Sequence, residues 1–278
     1  MRGKFFAALT LAATLLITGC GGGDTPAKTD GGDKGATKEV TLKIGATPVP
    51  HAEILEEIKP DLKEKGITLE IVEFNDYVQP NIALNDKELD ANFFQHEPYL
   101  NDFIKEHKDV KLKNAGDVHI EPMGIYSKKI KDLKELHDGA TVSIPNDPTH
   151  GGRALLLLQK AELLKLKDGV NEMATVQDIA ENPKNLKVQE VEAAQLPRTL
   201  EDVDISIINT NFAMNADLNP MKDALFIEDK TSPYVNIIAV REGNENRQEI
   251  KTLLETIKTD KVKKFIEDKY KGAIVPAF

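Results

Sequence analysis

The sequence contains no tryptophan, one cysteine and few aromatic side chains, 5% in all. One cysteine excludes an intramolecular disulfide and any site built on paired thiolates. After Ile17 no apolar run approaches the roughly 20 residues that a membrane-spanning helix needs. The patterns GxSxG, HExxH and GxxxxGK[ST] are absent, so serine-hydrolase, zincin and P-loop chemistry lack their residues. No HxxxH or CxxC pair and no repeat of solenoid period occurs. Positive charge is also short: the formal net charge is −10, and −12 once Arg2 and Lys4 are set aside. An acidic surface argues against nucleic acid or anionic lipid headgroups as partners.

What is present begins with an address. Arg2 and Lys4 precede an apolar stretch, Phe5–Ile17, followed by Ile17-Thr18-Gly19-Cys20. Small residues just before a Cys resemble the bacterial lipobox, with Ile17 where Leu is usual. Residues 1–19 are expected to be a lipoprotein signal peptide and Cys20 the lipidated residue. Residues 20–38, rich in Gly, Asp, Thr and Lys, read as a disordered tether of ~23 Å r.m.s. reach.

From Val40 the pattern becomes α/β. Val40, Leu42 and Ile44 alternate as a strand; Ile54, Leu55, Ile58 and Leu62 share one helix face; Ile67, Leu69 and Ile71 alternate again. That βαβ order predicts a parallel pair. Asp76 is placed to cap a helix beginning at Tyr77, and Pro98 suits the first turn of another. His119–Ser127 reads as a strand entering a second series: strand 140–144, loop 146–152, helix 153–166, then strands 186–191, 205–208 and 235–240 and helices 246–259 and 260–270. Two lobes are expected, 39–120 plus 230–278 and 121–229, with the chain crossing near 121 and near 230.

Two stretches carry chemistry. Leu89–Leu100 (LDANFFQHEPYL) gathers Phe93, Phe94, Gln95, His96 and Tyr99 at a strand-to-helix junction, where open α/β sheets bind ligands. The residues equally suit a strand end packed in the core. Asn146–Arg153 (NDPTHGGR) sets Gly151 and Gly152, which would let a ligand approach the backbone, before Arg153, a fork for a carboxylate or phosphate at a helix start. An ordinary surface arginine fits the same pattern. Asn209 and Asn211 sit at another strand end, and Asn236 interrupts an apolar strand, where an amide needs a partner in solvent, backbone or ligand. His51, His96, His119 and His150 lie near loops, with Glu97 and Glu121 close by, but without metal-ligand spacing.

Four stretches, GATPVPHAEIL, FNDYVQPNIALNDKELDANFFQHEPYL, PNDPTHGGRALLLLQ and INTNFA…SPYVNIIAVRE, together resemble the methionine-binding lipoproteins of ABC importers, the NlpA family. The resemblance covers nearly all of the chain after residue 40. It implies a type II periplasmic-binding-protein fold: two α/β lobes joined at a hinge, with ligand in the cleft. It implies Arg153 on the ligand carboxylate, Asn236 and Asn209 on the amino-acid backbone, and Tyr77, Phe93, Phe94, His96 and Tyr99 around the side chain, with Gln95 and Asn211 as further contacts. Val49 and Asn211 depart from the family pattern. The implied function is a monomeric, lipid-anchored receptor on the extracytoplasmic face of the membrane. It would deliver L- or D-methionine, or a methionine-containing dipeptide, to a permease and its ATPase. It would use no cofactor or resident metal and would not be an enzyme. A zinc-type or other amino-acid-binding transport lipoprotein is the alternative.

Overall fold

The computed structural model describes residues 39–278; the expected signal peptide, Cys20 and the tether lie outside them. The chain runs β1 (Val40–Ala46), α1 (Glu53–Glu64), β2 (Ile67–Glu73), α2 (Gln79–Asn85), β3 (Ala91–His96), α3 (Glu97–Glu106) and β4 (Leu112–Ile120). It continues through β5 (Gly124–Tyr126), β6 (Thr141–Pro145), α4 (Pro148–Lys160), β7 (Lys165–Leu166), β8 (Ile179–Glu181), β9 (Lys187–Val191), α5 (Leu196–Thr199), β10 (Ile205–Ile208), α6 (Thr210–Asn215), α7 (Pro220–Asp223) and β11 (Ala224–Ile227). It ends with β12 (Val235–Arg241), α8 (Gln248–Ile257), α9 (Asp260–Tyr270) and β13 (Val275–Pro276). None of the described helices is long and apolar enough to cross a membrane.

Two large sheets hold these strands, apart from the antiparallel β7-β8 pair. The six-stranded sheet has the order β13-β4-β12-β3-β1-β2, and the five-stranded sheet β11-β5-β10-β6-β9. The first draws on residues 40–120 and 235–276 and forms lobe 1; the second draws on 124–227 and forms lobe 2. β1 is parallel to both β2 and β3, as the βαβ reading requires, while β12 returns antiparallel between β3 and β4. The expected single strand over 119–127 is two strands in two sheets. The chain leaves lobe 1 after Ile120 and enters lobe 2 at Gly124.

Burial follows the sequence pattern. Ile54, Leu55, Ile58 and Leu62 of α1 have no exposure, and each such side chain contributes ~1.5–3 kcal/mol by leaving water. Gly66, at φ +79°, turns the chain out of that helix into β2. α1, α8 and α9 cover one face of the six-stranded sheet. The other face packs Phe94, Tyr99 and Leu100 against Tyr126, Leu196, Ile208 and Phe212 of lobe 2. A third core lies within lobe 2, between its sheet and α4.

α4 differs from expectation. It starts at Pro148, capped by Asp147, so Gly151 and Gly152 lie inside the helix and Arg153 is well past its first turn. The glycines serve packing. A Cβ on Gly151 would sit 2.9 Å from the Pro145 carbonyl oxygen, and one on Gly152 would overlap the Glu172 carbonyl oxygen at 2.1 Å. They admit protein backbone rather than ligand.

Candidate functional site

The two strand-to-helix junctions β3–α3 and β6–α4 face each other across a cleft between the lobes. His96 closes β3 and caps α3: its Nδ1 accepts the Tyr99 backbone N–H at 3.2 Å. An accepting Nδ1 places the proton on Nε2. Burial, reinforced by the nearby His150 and Arg153, keeps this imidazole neutral far below its ordinary range. Opposite it, the Asp147 carboxylate accepts both the backbone N–H of His150 and its Nδ1–H, the latter at 2.9 and 3.0 Å. Burial raises the Asp147 pKa, but His150 outweighs it and the net shift is downward.

Contacts between the lobes line this cleft. Tyr77 donates its hydroxyl to Asn211 Oδ1 at 2.6 Å. The Tyr77 ring lies 4.8 Å from Phe212 and 5.1 Å from His150, and His96 lies 4.8 Å from His150. A cavity of about 20 Å³ remains between them, room for about one water, so a ligand must part the lobes to enter. A larger, open hollow on lobe 2 beside β7 and β8 is lined by Lys165, Lys167 and Glu181, surface charges already paired.

Arg153 crosses from α4 into the cleft and is buried. Its Nη2 donates to the Glu121 carbonyl at 2.7 Å and to the Glu228 carboxylate, and its Nε donates to Glu228 at 3.2 Å. Its guanidinium carbon stacks 4.2 Å from the centre of the Tyr234 ring. Nη1 is engaged by none of these. Asn236 Oδ1 accepts from His51 Nε2 at 3.0 Å, which turns its NH2 group free to donate. Two cleft-lining polar atoms are buried without a partner among the described residues: the donor His96 Nε2 and the acceptor Asn209 Oδ1. Such atoms cost ~1–3 kcal/mol each unless something fills the space.

Seven of the ten residues singled out from the sequence lie along this space: Tyr77, Phe94, His96, Arg153, Asn209, Asn211 and Asn236. Three do not. Phe93 points to the opposite face of the sheet, fully buried in the α1 core, with its ring 4.6 Å from His51. Gln95 is turned away because β3 bulges at Phe94. Phe93 faces Ile238 and Gln95 faces Ile237, so Phe94 has no counterpart on β12. The slip puts Gln95 beside Asn92, where both hydrogen-bond with Asn81. Tyr99 stands behind the wall and donates to the Tyr77 carbonyl at 3.0 Å. Val49 packs against the lobe 1 core.

Three lining residues were not chosen from the sequence: Glu121, His150 and Thr210. The first two had been weighed only as metal ligands. Thr210, whose hydroxyl donates to the Pro122 carbonyl, carries no pattern that would mark it.

Comparison with known proteins places this architecture among lipoproteins. The NlpA lipoprotein family model matches residues 42–278. The methionine-binding lipoprotein MetQ of Bacillus subtilis is 45% identical, over 99% of both chains. The D-methionine-binding lipoprotein MetQ of Escherichia coli K12 is 43% identical, over 98% of this chain and 97% of its own. A nutrient-binding protein from Burkholderia cenocepacia, solved bound to methionine, superposes with a TM-score of 0.82 at 47% identity. That match covers 85% of this chain and 100% of the other.

Proposed function

The chain belongs to the NlpA lipoprotein family, and from that premise we propose that it is a lipid-anchored receptor that captures methionine in the interlobe cleft and delivers it to the permease and ATPase of an ABC importer. The observation that carries this is the pairing, in one buried space, of an unsatisfied donor and an unsatisfied acceptor. His96 Nε2–H, Arg153 Nη1 and the Asn236 NH2 group supply protons to a carboxylate, and Asn209 Oδ1 accepts one from an ammonium. An amino acid is the small ligand with both ends. Tyr77 and Phe94 offer ring surface to its side chain, and a polarizable thioether gains from aromatic edges.

Binding is a population shift: ligand contacts from both lobes favour the closed form over the open one. No bond is made or broken, so the residues need only match charge and shape. Diacylglycerol on Cys20 and the tether to residue 38 would hold the lobes at the extracytoplasmic face of the membrane. Mass spectrometry of small molecules released by denaturing the unlipidated protein should find methionine. Calorimetry with the L and D forms and with a methionyl dipeptide then ranks them. Stoichiometric zinc in the released fraction, with no heat on adding methionine, would overturn the reading.

A further inference from the structure

Under the cleft floor three buried titratable side chains meet, two imidazoles converging on one carboxylate. His51, between β1 and α1, and His119, on β4, both aim Nε2 at Glu121 Oε1, at 3.2 and 2.8 Å. All three are less than a tenth exposed. The Thr47 hydroxyl lies 2.7 Å from His51 Nδ1 and can donate to it, which leaves the His51 proton on Nε2, shared between Glu121 and Asn236 Oδ1. Burial holds both imidazoles neutral, His51 with a pKa of about 4 and His119 of about 3.

The charges around the cleft do not balance. Arg153 is matched by Glu228, and Asp147 is held by His150. Glu121 lines the cleft, yet among the described residues its ion-pair partners are only these two neutral rings. Burial raises its pKa, and His51, Arg153 at longer range and the Asn211 backbone N–H oppose that rise. A buried carboxylate held by neutral N–H donors lacks a cation. Both imidazoles meet Oε1; Oε2 is engaged by neither.

We propose that Glu121 is the counter-ion of the ligand's ammonium group, with His51 and His119 as positioning residues that hold its carboxylate against the cleft. The inference rests on the amino-acid reading and names the group that makes the cleft select an amine. The same three ligand atoms lie within 4.8 Å of one another, a spacing that could hold a metal ion. A metal there would need a lone pair on both Nε2 atoms, and so a proton moved to Nδ1 of each ring; the test below separates the two uses.

The test compares methionine with its 2-hydroxy acid analogue, in which a hydroxyl replaces the ammonium, by calorimetry on the purified protein. Glu121→Gln keeps the shape and removes the charge. It should weaken methionine about 30-fold or more while changing the analogue less than about threefold. His119→Gln, checked for folding by thermal melts, should cost about tenfold, again for methionine alone. Equal losses for the two ligands would overturn the proposal. So would methionine binding that a chelator abolishes and zinc restores, since the three residues would then serve an ion. Failure of the unmodified protein to bind methionine at all would instead defeat the function proposed above.

Discussion

The two junctions that face each other across the cleft are built alike and used differently. In each, a strand passes almost directly into a helix, a proline sits in the first turn, and a side-chain acceptor caps the helix by taking a backbone N–H three residues on. In β3–α3 the cap is a neutral imidazole, whose second nitrogen stays free and points into the cleft. In β6–α4 the cap is a carboxylate, wholly occupied by His150, and the helix contributes a cation from deeper in its length. The same local solution for ending a strand thus leaves a hydrogen-bond donor on one wall and a fixed positive charge on the other. Matching caps do not make matching sites; what each cap has left over decides.

That contrast can be broken experimentally. The largest effect belongs to the adjacent aromatics of the first junction. Phe93→Ala should cost ~3–5 kcal/mol of stability in denaturant titrations, because it empties a fully buried core position. The folded fraction should bind methionine as before. Phe94→Ala, at a buried position that also lines the cleft, should cost stability too and in addition weaken methionine more than alanine. Similar binding losses for both would return Phe93 to the pocket. Next comes the charge of the second junction: Arg153→Ala should lose ~2–5 kcal/mol of methionine affinity by calorimetry. A loss below ~1.4 kcal/mol, tenfold, would mean that another group holds the carboxylate. His96→Asn retains a cap but not the Nε2 donor; we expect ~1–2 kcal/mol less affinity and little change in melting temperature. A stability loss without an affinity loss would reduce His96 to a cap.

The smallest effect separates the lobes by pH. His51, His96 and His119, all in lobe 1, are held by burial below the ordinary value of 6.5. The unfolded chain takes up protons that the folded one refuses. Their contribution is therefore complete above pH 6.5 and shrinks as pH falls toward 4 and 3. Glu121, raised by burial from 4.5, acts in the opposite sense, its contribution being complete below 4.5 and lost as pH rises. Asp147 in lobe 2, lowered from 3.8, matters only below that pH. Hydrogen exchange, corrected for its intrinsic pH dependence, should show β1 and β4 loosening between pH 6.5 and 4 while β6 and α4 stay protected. Loosening of β6 and α4 first would reverse the assignment.

Much of the fold was legible because burial is periodic where elements are amphipathic. α1, β10 and α9 fall where spacing alone puts them. Legibility ended where geometry depends on a neighbour. The first half of β4 is only half-buried and shows no alternation, and pairing with β12 makes it a strand. The two glycines that suggested a ligand loop are inside α4, pressed by backbone that is remote in the chain. Phe93 and Phe94 are indistinguishable as sequence; strand alternation puts them on opposite faces, and only what packs on each face makes one core and the other cleft. Aromatics and amides marked the cleft, because they are scarce here or out of place in apolar strands. Glu121 and His150 were harder: their partners His119 and Asp147 are near in sequence, but only the fold brings the two pairs, 26 or more residues apart, to one cleft.

The Tyr77–Asn211 hydrogen bond joins the two lobes without the ligand's help. A receptor with such a clasp holds its lobes together partly through its own contacts, in addition to the ligand's. Binding can occur only from the fraction that is open, yet the clasp also slows escape once something is inside. Removing the Tyr77 hydroxyl alone would reset how long cargo stays without altering a single atom that touches it. Residence time could therefore be adjusted through this one hydroxyl while the Tyr77 ring keeps its place against the ligand.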